Sequence, residues 1–295
     1  MVRNLAFFAV MSFIWGLTWA AIKFGLEVLP PMLLAALRYL LTTVLLVMTA
    51  RGARAAFSDG YAPRTVASAL LVNTGTYGLL FWGMQSVSSG LSGLVNLALI
   101  PVMLVSLATL TGEEKPNWRY ALTLTIGCGG LVALFCTRLG QGGGSGTGLA
   151  AIIGGTACYC VGTIVARPLV DRVEPLTLTM VQAAIGGTAL LLLSVATEPI
   201  PTDLLRVLVE PRAIGSLAFL SLLGTIVAYT IYLALLRDWG TVRAGLYAFI
   251  SPIVALAAGA WLFSEQIGAV EIVGAVLLLA AASLAMYQPQ QTARP

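Results

Sequence analysis

The 295-residue sequence contains no histidine. That removes the commonest metal ligand and the commonest general base at neutral pH. Charge is scarce too. Asp, Glu, Lys and Arg make up 9% of the chain, against about 25% in an ordinary soluble domain. No carboxylate falls in the middle of an apolar run, where a proton-driven carrier usually places one. The glycine run at 140–148 lacks the lysine and the strand–loop–helix setting of a phosphate-binding loop. Neither ATP drive nor an ATPase subunit is implied. The four cysteines, Cys128, Cys136, Cys158 and Cys160, all lie in apolar runs and read as small core residues. Cys-x-Cys is no zinc pattern by itself. No catalytic residue, metal ligand or cofactor is expected.

What is present is apolar. Hydrophobic residues make up 59% of the chain, and the mean hydropathy is +0.94. A soluble fold would lack the polar surface to cover such a core, so lipid is the solvent that suits it. In lipid the backbone must satisfy its own hydrogen bonds, as helices or as a closed barrel. Barrel strands alternate over about ten residues, whereas this chain has continuous runs of about twenty, the length of a spanning helix. The fold class expected is all-α integral membrane. Breaks at charges, prolines and glycines predict ten spans: 4–26, 30–50, 65–84, 88–110, 118–137, 148–166, 175–196, 213–235, 241–262 and 267–287. The run Gly140–Gly148 reads as a flexible linker. It divides a first repeat (1–139) from a second (149–295).

The sixteen basic residues orient this map. With the N-terminus cytoplasmic, eleven fall on the inner side, from Arg3 to Arg294. Three (Arg138, Arg206 and Arg212) fall outside, and Lys23 and Arg38 lie within spans. The bias follows the positive-inside rule and needs an even number of spans, with both termini cytoplasmic. The net charge of +4 is therefore loop charge and implies no nucleic-acid partner.

Five spans per half would place two related halves in opposite orientations. An offset of 144 pairs Pro31 with Pro175, Lys23 with Arg167, Arg38 with Gln182 and Ser12 with Thr156. An offset of 151 pairs Thr74 with Thr225, Pro101 with Pro252 and Glu114 with Glu265. Inverted repeats are a recurrent plan of secondary transporters, with the site at the midplane between them.

Several residues carry a family resemblance: Trp15-Gly16, Pro31 with Leu37-Arg38-Tyr39-Leu40, Pro101, Gly112-Glu113-Glu114, Pro252 and Ser264-Glu265. By their order and duplication the chain resembles the drug/metabolite transporter superfamily, specifically the EamA-like ten-helix exporters. Within it the chain is most like the aromatic amino-acid exporter group. Ser264 stands where a glycine is usual, and Gln182 where the first half has Arg38. The resemblance implies that helices 1–4 and 6–9 enclose a central cavity, with the fifth helix of each half a brace outside. It also implies a multi-pass protein of the cell inner membrane, working as an exporter.

Arg38 is the sharpest single signal. It sits about 12 Å into its span, where an arginine costs at least about 2.5 kcal/mol and must face protein or water. It is a cavity charge for a substrate carboxylate or a structural pin on helix-end carbonyls. Ser12, Gly16, Trp19 and Lys23 share one helix face, with Trp15 beside it. They form a cavity wall with a cation at its mouth, or an interfacial anchor with packing tryptophans. Asn73, Tyr77, Asn96, Tyr159, Tyr229, Tyr232 and Tyr247 are polar or aromatic groups at mid-span. They line a water-filled cavity or hydrogen-bond between helices. Pro101 and Pro252 interrupt matched helices, as gates or as fixed bends. Glu113, Glu114 and Glu265 stand at span ends, where a carboxylate caps the helix that follows.

Such a set, aromatic and poor in charge, suits a neutral or zwitterionic solute with an apolar side chain. The function expected is export of amino acids, aromatic or otherwise neutral, and related metabolites. The alternatives are carriage of another metabolite or drug in either direction and, more distantly, an intramembrane enzyme. That enzyme would need a nucleophile–base pair, and Lys23 has only Ser12 nearby. The partners expected are a small-molecule substrate and the bilayer, with the chain a monomer or homodimer.

Overall fold

A computed structural model describes residues 2–48, 51–87, 89–113, 115, 117–139, 145–263 and 268–286. All regular structure among them is helical. The long helices are α1 (Val2–Leu26), α2 (Pro31–Leu46), α3 (62–84), α4 (Ser89–Leu110) and α5 (Trp118–Leu139). They continue with α6 (Gly146–Ala166), α7 (Pro175–Thr197), α8 (Pro211–Gly245), α9 (Tyr247–Phe263) and α10 (Ala269–Met286). Among the described residues α1, α6, α7 and α8 are long and apolar enough to cross a membrane by length and composition, and shorter apolar helices accompany them. A 3-10 turn at Ala53–Ala56 and a short helix at Leu204–Leu208 fill loops that the sequence pattern left unassigned. The tail of the expected linker is helical: Ser145 caps α6 by accepting from the Gly148 N–H at 3.0 Å, so α6 begins at Gly146.

Helix ends follow side-chain chemistry. α2 and α7 both start on proline, which is preset for the first turn and has no N–H to lose. The free N–H groups of Met32 and Leu33 at the start of α2 donate to Glu198 at 2.8 and 3.0 Å. Ser194 holds the same carboxylate at 2.7 Å, so the end of α7 caps α2. Glu113 also caps, but not the helix that follows it. It accepts from the backbone N–H of Thr241 at 3.0 Å and from the Thr241 hydroxyl, and lies 3.4 Å from Arg167. That cap is needed because α8 breaks at Gly240, where φ is +79°, a conformation that favours glycine. The side chains of Glu114 and Glu265 lie outside the described residues.

Two helices are not regular. α3 widens into a π segment at Leu70–Gly75, and α8 into another at Phe219–Val227. Thr76 donates to the Leu71 carbonyl at 2.9 Å, and Thr225 donates to the Leu220 carbonyl at 2.9 Å. Both bonds reach five residues back. π segments occur mostly at functional sites, because they displace backbone groups from the regular ladder.

Two large apolar clusters and a small third one around Ala108, Tyr120 and Val242 form the interior. One large cluster gathers Phe8, Met11, Leu104, Leu236 and Phe249; the other gathers Ile22, Leu33, Leu34, Phe81 and Leu190. α1 takes part in both and crosses α9 tightly. A Cβ at Gly16 would stand 2.6 Å from the Val254 Cβ and 2.8 Å from the Ser251 carbonyl oxygen, so glycine permits the crossing. α5 and α10 pack on each other at the side of the bundle. Large apolar side chains such as Leu192, Val195, Val44 and Val276 face outward. Such a surface suits lipid and would be a liability in water. Cys160 is buried and Cys128 and Cys158 are partly buried, all as free thiols, while the side chain of Cys136 lies outside the described residues.

Candidate functional site

A partly open cavity with about 110 Å³ of free interior volume lies between the two larger apolar clusters. α1, α2, α3, α4, α6, α8 and α9 contribute its lining; among the described residues α5, α7 and α10 contribute none. Among the described residues its walls are apolar or aromatic, with a few hydroxyl and amide groups and one charge, Arg38.

Arg38 is 6% exposed. Its guanidinium carbon lies 4.5 Å from the centre of the Tyr39 ring and 4.4 Å from that of Tyr77. Nη2 donates to the Tyr39 hydroxyl at 2.9 Å. Aromatic faces attract a cation by about 0.5–2 kcal/mol each, more when water is excluded. The ion pairs among the described residues do not include Arg38. Its Nε–H is buried and has no hydrogen-bond partner. Buried charge is ordinarily paired and hydrogen-bonded, so a free guanidinium N–H in a cavity wall leaves room for an acceptor from outside the chain. The Arg38 carbonyl, by contrast, accepts from Ser221 in the π segment of α8 at 2.9 Å, so backbone and side chain do different work.

The facing wall is aromatic. The Trp15 ring meets Tyr247 edge-on at 4.3 Å and lies 5.5 Å from Tyr232. Tyr229 stacks on Tyr232 at 6.0 Å. Their polar ends are satisfied as buried phenols and indoles require. The Tyr247 hydroxyl donates to the Tyr159 oxygen at 3.0 Å, and Tyr229 donates to Gln182 Oε1 at 2.7 Å. The Trp15 indole N–H donates to the Gly224 carbonyl at 3.0 Å. Gly224 belongs to the π segment of α8, so irregular backbone there supplies the acceptor that orients the tryptophan.

Of the residues singled out in the sequence, Trp15, Arg38, Asn73, Tyr77, Asn96, Tyr159, Tyr229 and Tyr247 meet at this cavity. Asn73 donates to the Gln182 carbonyl at 2.7 Å and Asn96 to the Thr156 hydroxyl at 3.0 Å, so these amides also tie helices together. Tyr232 does not reach the lining. It is 1% exposed and donates to Thr163 at 3.3 Å, packed behind Trp15 and Tyr247. The side chains of Trp19 and Lys23 lie outside the described residues, although both positions belong to α1. Pro101 and Pro252 lie inside α4 and α9 and do not line the cavity. Sequence reasoning did not rank Tyr39, Thr18, Thr76 or Ser251 as site residues. For Tyr39 the signal was present: an aromatic residue adjacent to an intramembrane cation.

A partly open, largely apolar site at the junction of seven helices, with Arg38 its one cation among the described residues, suits a small solute. A model of the EamA-like transporter family matches residues 3–136 and again 146–287. The chain belongs to the EamA-like transporter family. It is a multi-pass membrane transporter and not an enzyme. It is similar to the uncharacterized transporter YoaV of Bacillus subtilis (strain 168), 24% identical over 281 residues and covering 94% of each chain. It is also similar to the uncharacterized inner membrane transporter YedA of Escherichia coli (strain K12), 25% identical over 264 residues, or 88% of this chain and 82% of that one. A Salmonella typhimurium relative named probable amino-acid metabolite efflux pump is 26% identical over 290 residues, covering 95% of this chain and 94% of its own. A solved crystal structure shares the fold, with a TM-score of 0.78 and 16% identity over 97% of this chain and 96% of that one.

Proposed function

We propose that this protein is a secondary transporter of the cell inner membrane that exports small organic solutes. The solutes are amino acids with aromatic or other neutral side chains and related metabolites, carried by alternating access through the cavity. Its spans number ten, in two inverted five-helix repeats with both termini cytoplasmic. The observation that carries this reading is the free, buried N–H of Arg38 in a wall otherwise apolar and aromatic. A carboxylate suits that group, and an apolar side chain suits the rest of the wall. The name of the Salmonella relative supports export of amino-acid metabolites, and that of the Escherichia coli relative supports the inner membrane.

Several features support the repeat. The family model matches the chain as two segments of similar length. The π segments of α3 and α8 occupy the corresponding helix of each half, each with a threonine reaching five residues back. Pro101 and Pro252 interrupt corresponding helices, where a bend can open or close one end of the cavity. The end bearing Arg3, Asp238, Glu113 and Arg167 is tied by ion pairs, and the basic-residue bias makes it the cytoplasmic end.

The test is counterflow in proteoliposomes. Vesicles loaded with unlabelled phenylalanine should transiently accumulate external labelled phenylalanine or tryptophan, saturably, and only when the protein is present. Flux that rises without saturation and shows no counterflow would identify a channel and contradict the reading.

A further inference from the structure

The charge balance of the cavity goes further than its shape. The sequence holds twelve acidic residues, and those whose partners are described are engaged elsewhere. Glu27 pairs with Arg212, Asp59 with Arg172, and Glu113 and Asp171 with Arg167. Asp238 pairs with Arg3, and Glu198 caps α2. Among the described residues no carboxylate lines the cavity, whose one charged wall residue is Arg38. The side chains of Glu114, Glu265 and Glu271 lie outside the described residues, as does that of Lys23; the sequence puts the three carboxylates at span ends.

A charge in a medium of low dielectric is costly in proportion to what remains uncompensated. Counted over the described lining, where Arg38 is the one charged residue, the empty site carries one positive charge. A monovalent anion brings the loaded site to neutrality. A zwitterion leaves it at one positive charge, because its ammonium group meets no carboxylate. An amine raises it to two. A dianion overshoots and leaves a negative charge that meets no second cation among the described lining residues. The hydroxyl and amide oxygens of Thr18, Asn73 and Asn96 can accept from an ammonium, but they cannot cancel its charge. The surrounding Val72, Leu80, Leu97 and Ile100 offer apolar area to the rest of the solute.

We propose that the cavity selects a monovalent organic anion, a monocarboxylate with an apolar or aromatic body, over the zwitterion of the same shape. This rests on the carrier reading above and narrows its substrate class to the deaminated relatives of amino acids. A consequence concerns drive. A carrier that moves one negative charge per cycle, with no charge moving against it, is an electrogenic uniporter. An inside-negative membrane potential then drives the solute outward, without a coupling ion.

The experiment uses three probes of one shape: 3-phenylpropanoate, phenylalanine and 2-phenylethylamine, with net charges of −1, 0 and +1. Their binding to the purified full-length protein in nanodiscs is measured by calorimetry. The anion should bind at least about tenfold tighter than the zwitterion, and the amine should give no heat. Arg38→Lys should keep that order, and Arg38→Gln should abolish the preference. Equal or tighter binding of phenylalanine by the unmodified protein would overturn the anion selection and leave the carrier reading standing. Binding of none of the three would contradict both. In proteoliposomes loaded with phenylpyruvate, a potassium gradient with valinomycin should speed efflux when the interior is negative and slow it when positive. Phenylalanine flux should not respond to the sign. Phenylpyruvate efflux indifferent to voltage would overturn the electrogenic step.

Discussion

The guanidinium of Arg38 lies 4.4 Å from the centre of the Tyr77 ring, α2 against α3, and Gln182, the residue an offset of 144 pairs with Arg38, is also bonded to a tyrosine: the Tyr229 hydroxyl of α8 donates to it at 2.7 Å. One pair presents a charge to the cavity. The other closes a neutral network in which Gln182 also donates to Ser68 at 2.9 Å. On the proposed repeat, the change from arginine to glutamine separates a wall that offers a charge from one that is internally bonded.

Tyr77 should matter through its ring face. Tyr77→Leu removes one of two aromatic faces from Arg38 and should cost about 0.5–2 kcal/mol. Tyr77→Phe keeps the face and should stay close to the unmodified protein. Scanning fluorimetry of the purified variants checks this. A fall of about 2–4 °C in Tm per kcal/mol is expected for Tyr77→Leu alone.

Trp15 is oriented by a carbonyl in the π segment of α8. Trp15→Phe keeps an aromatic ring but loses the bond to Gly224. The expected cost is about 1 kcal/mol in stability, with weaker solute binding because the ring is free to turn. Calorimetry against phenylalanine and thermal unfolding together check it. Unchanged binding would mean that packing against Tyr247 suffices to hold the ring.

Glu113 ties the ends of α4, α6 and α8 through Thr241 and Arg167. Glu113→Gln keeps the shape and removes the charge. It should lower stability by about 1–2 kcal/mol and raise the exposure of this end of the bundle. Accessibility of a cysteine introduced at the buried Ala244 should rise in the variant. Thr241→Val should reproduce part of the loss.

Ser58 and Thr147 are exposed and fall on opposite sides of the proposed membrane. Single cysteines there, in a chain freed of its own four, should react with an impermeant maleimide from opposite faces of sealed vesicles. Thr147→Cys is expected to label from outside whole cells, and Ser58→Cys only after permeabilisation. Labelling of both from one side would refute the orientation.

The helices were legible because continuous apolar runs and proline starts are local signals: Pro31 and Pro175 mark the first residues of α2 and α7. Arg38 was legible because a cation inside an apolar run has few reasons to be there. Less legible were features made by contact between distant residues. Tyr232 shares a helix face with Tyr229, yet it packs behind the lining, because helix periodicity gives a direction and not a depth. Glu113 was read against the helix that follows it, while its partner Thr241 is 128 residues away. The offset of 151 pairs Thr74 with Thr225, whereas the threonine that shares the bonding pattern of Thr225 is Thr76. A π segment adds a residue to a turn, and a fixed offset does not register it.

The most direct test of the account is counterflow by the Arg38→Gln variant beside the unmodified protein, in vesicles matched for the amount of folded protein. The account predicts saturable counterflow by the unmodified protein and a loss of at least about tenfold in the variant, because a free buried cation is the feature that binds the solute carboxylate. Equal counterflow from both would contradict it and make Arg38 a structural pin between Tyr39 and Tyr77.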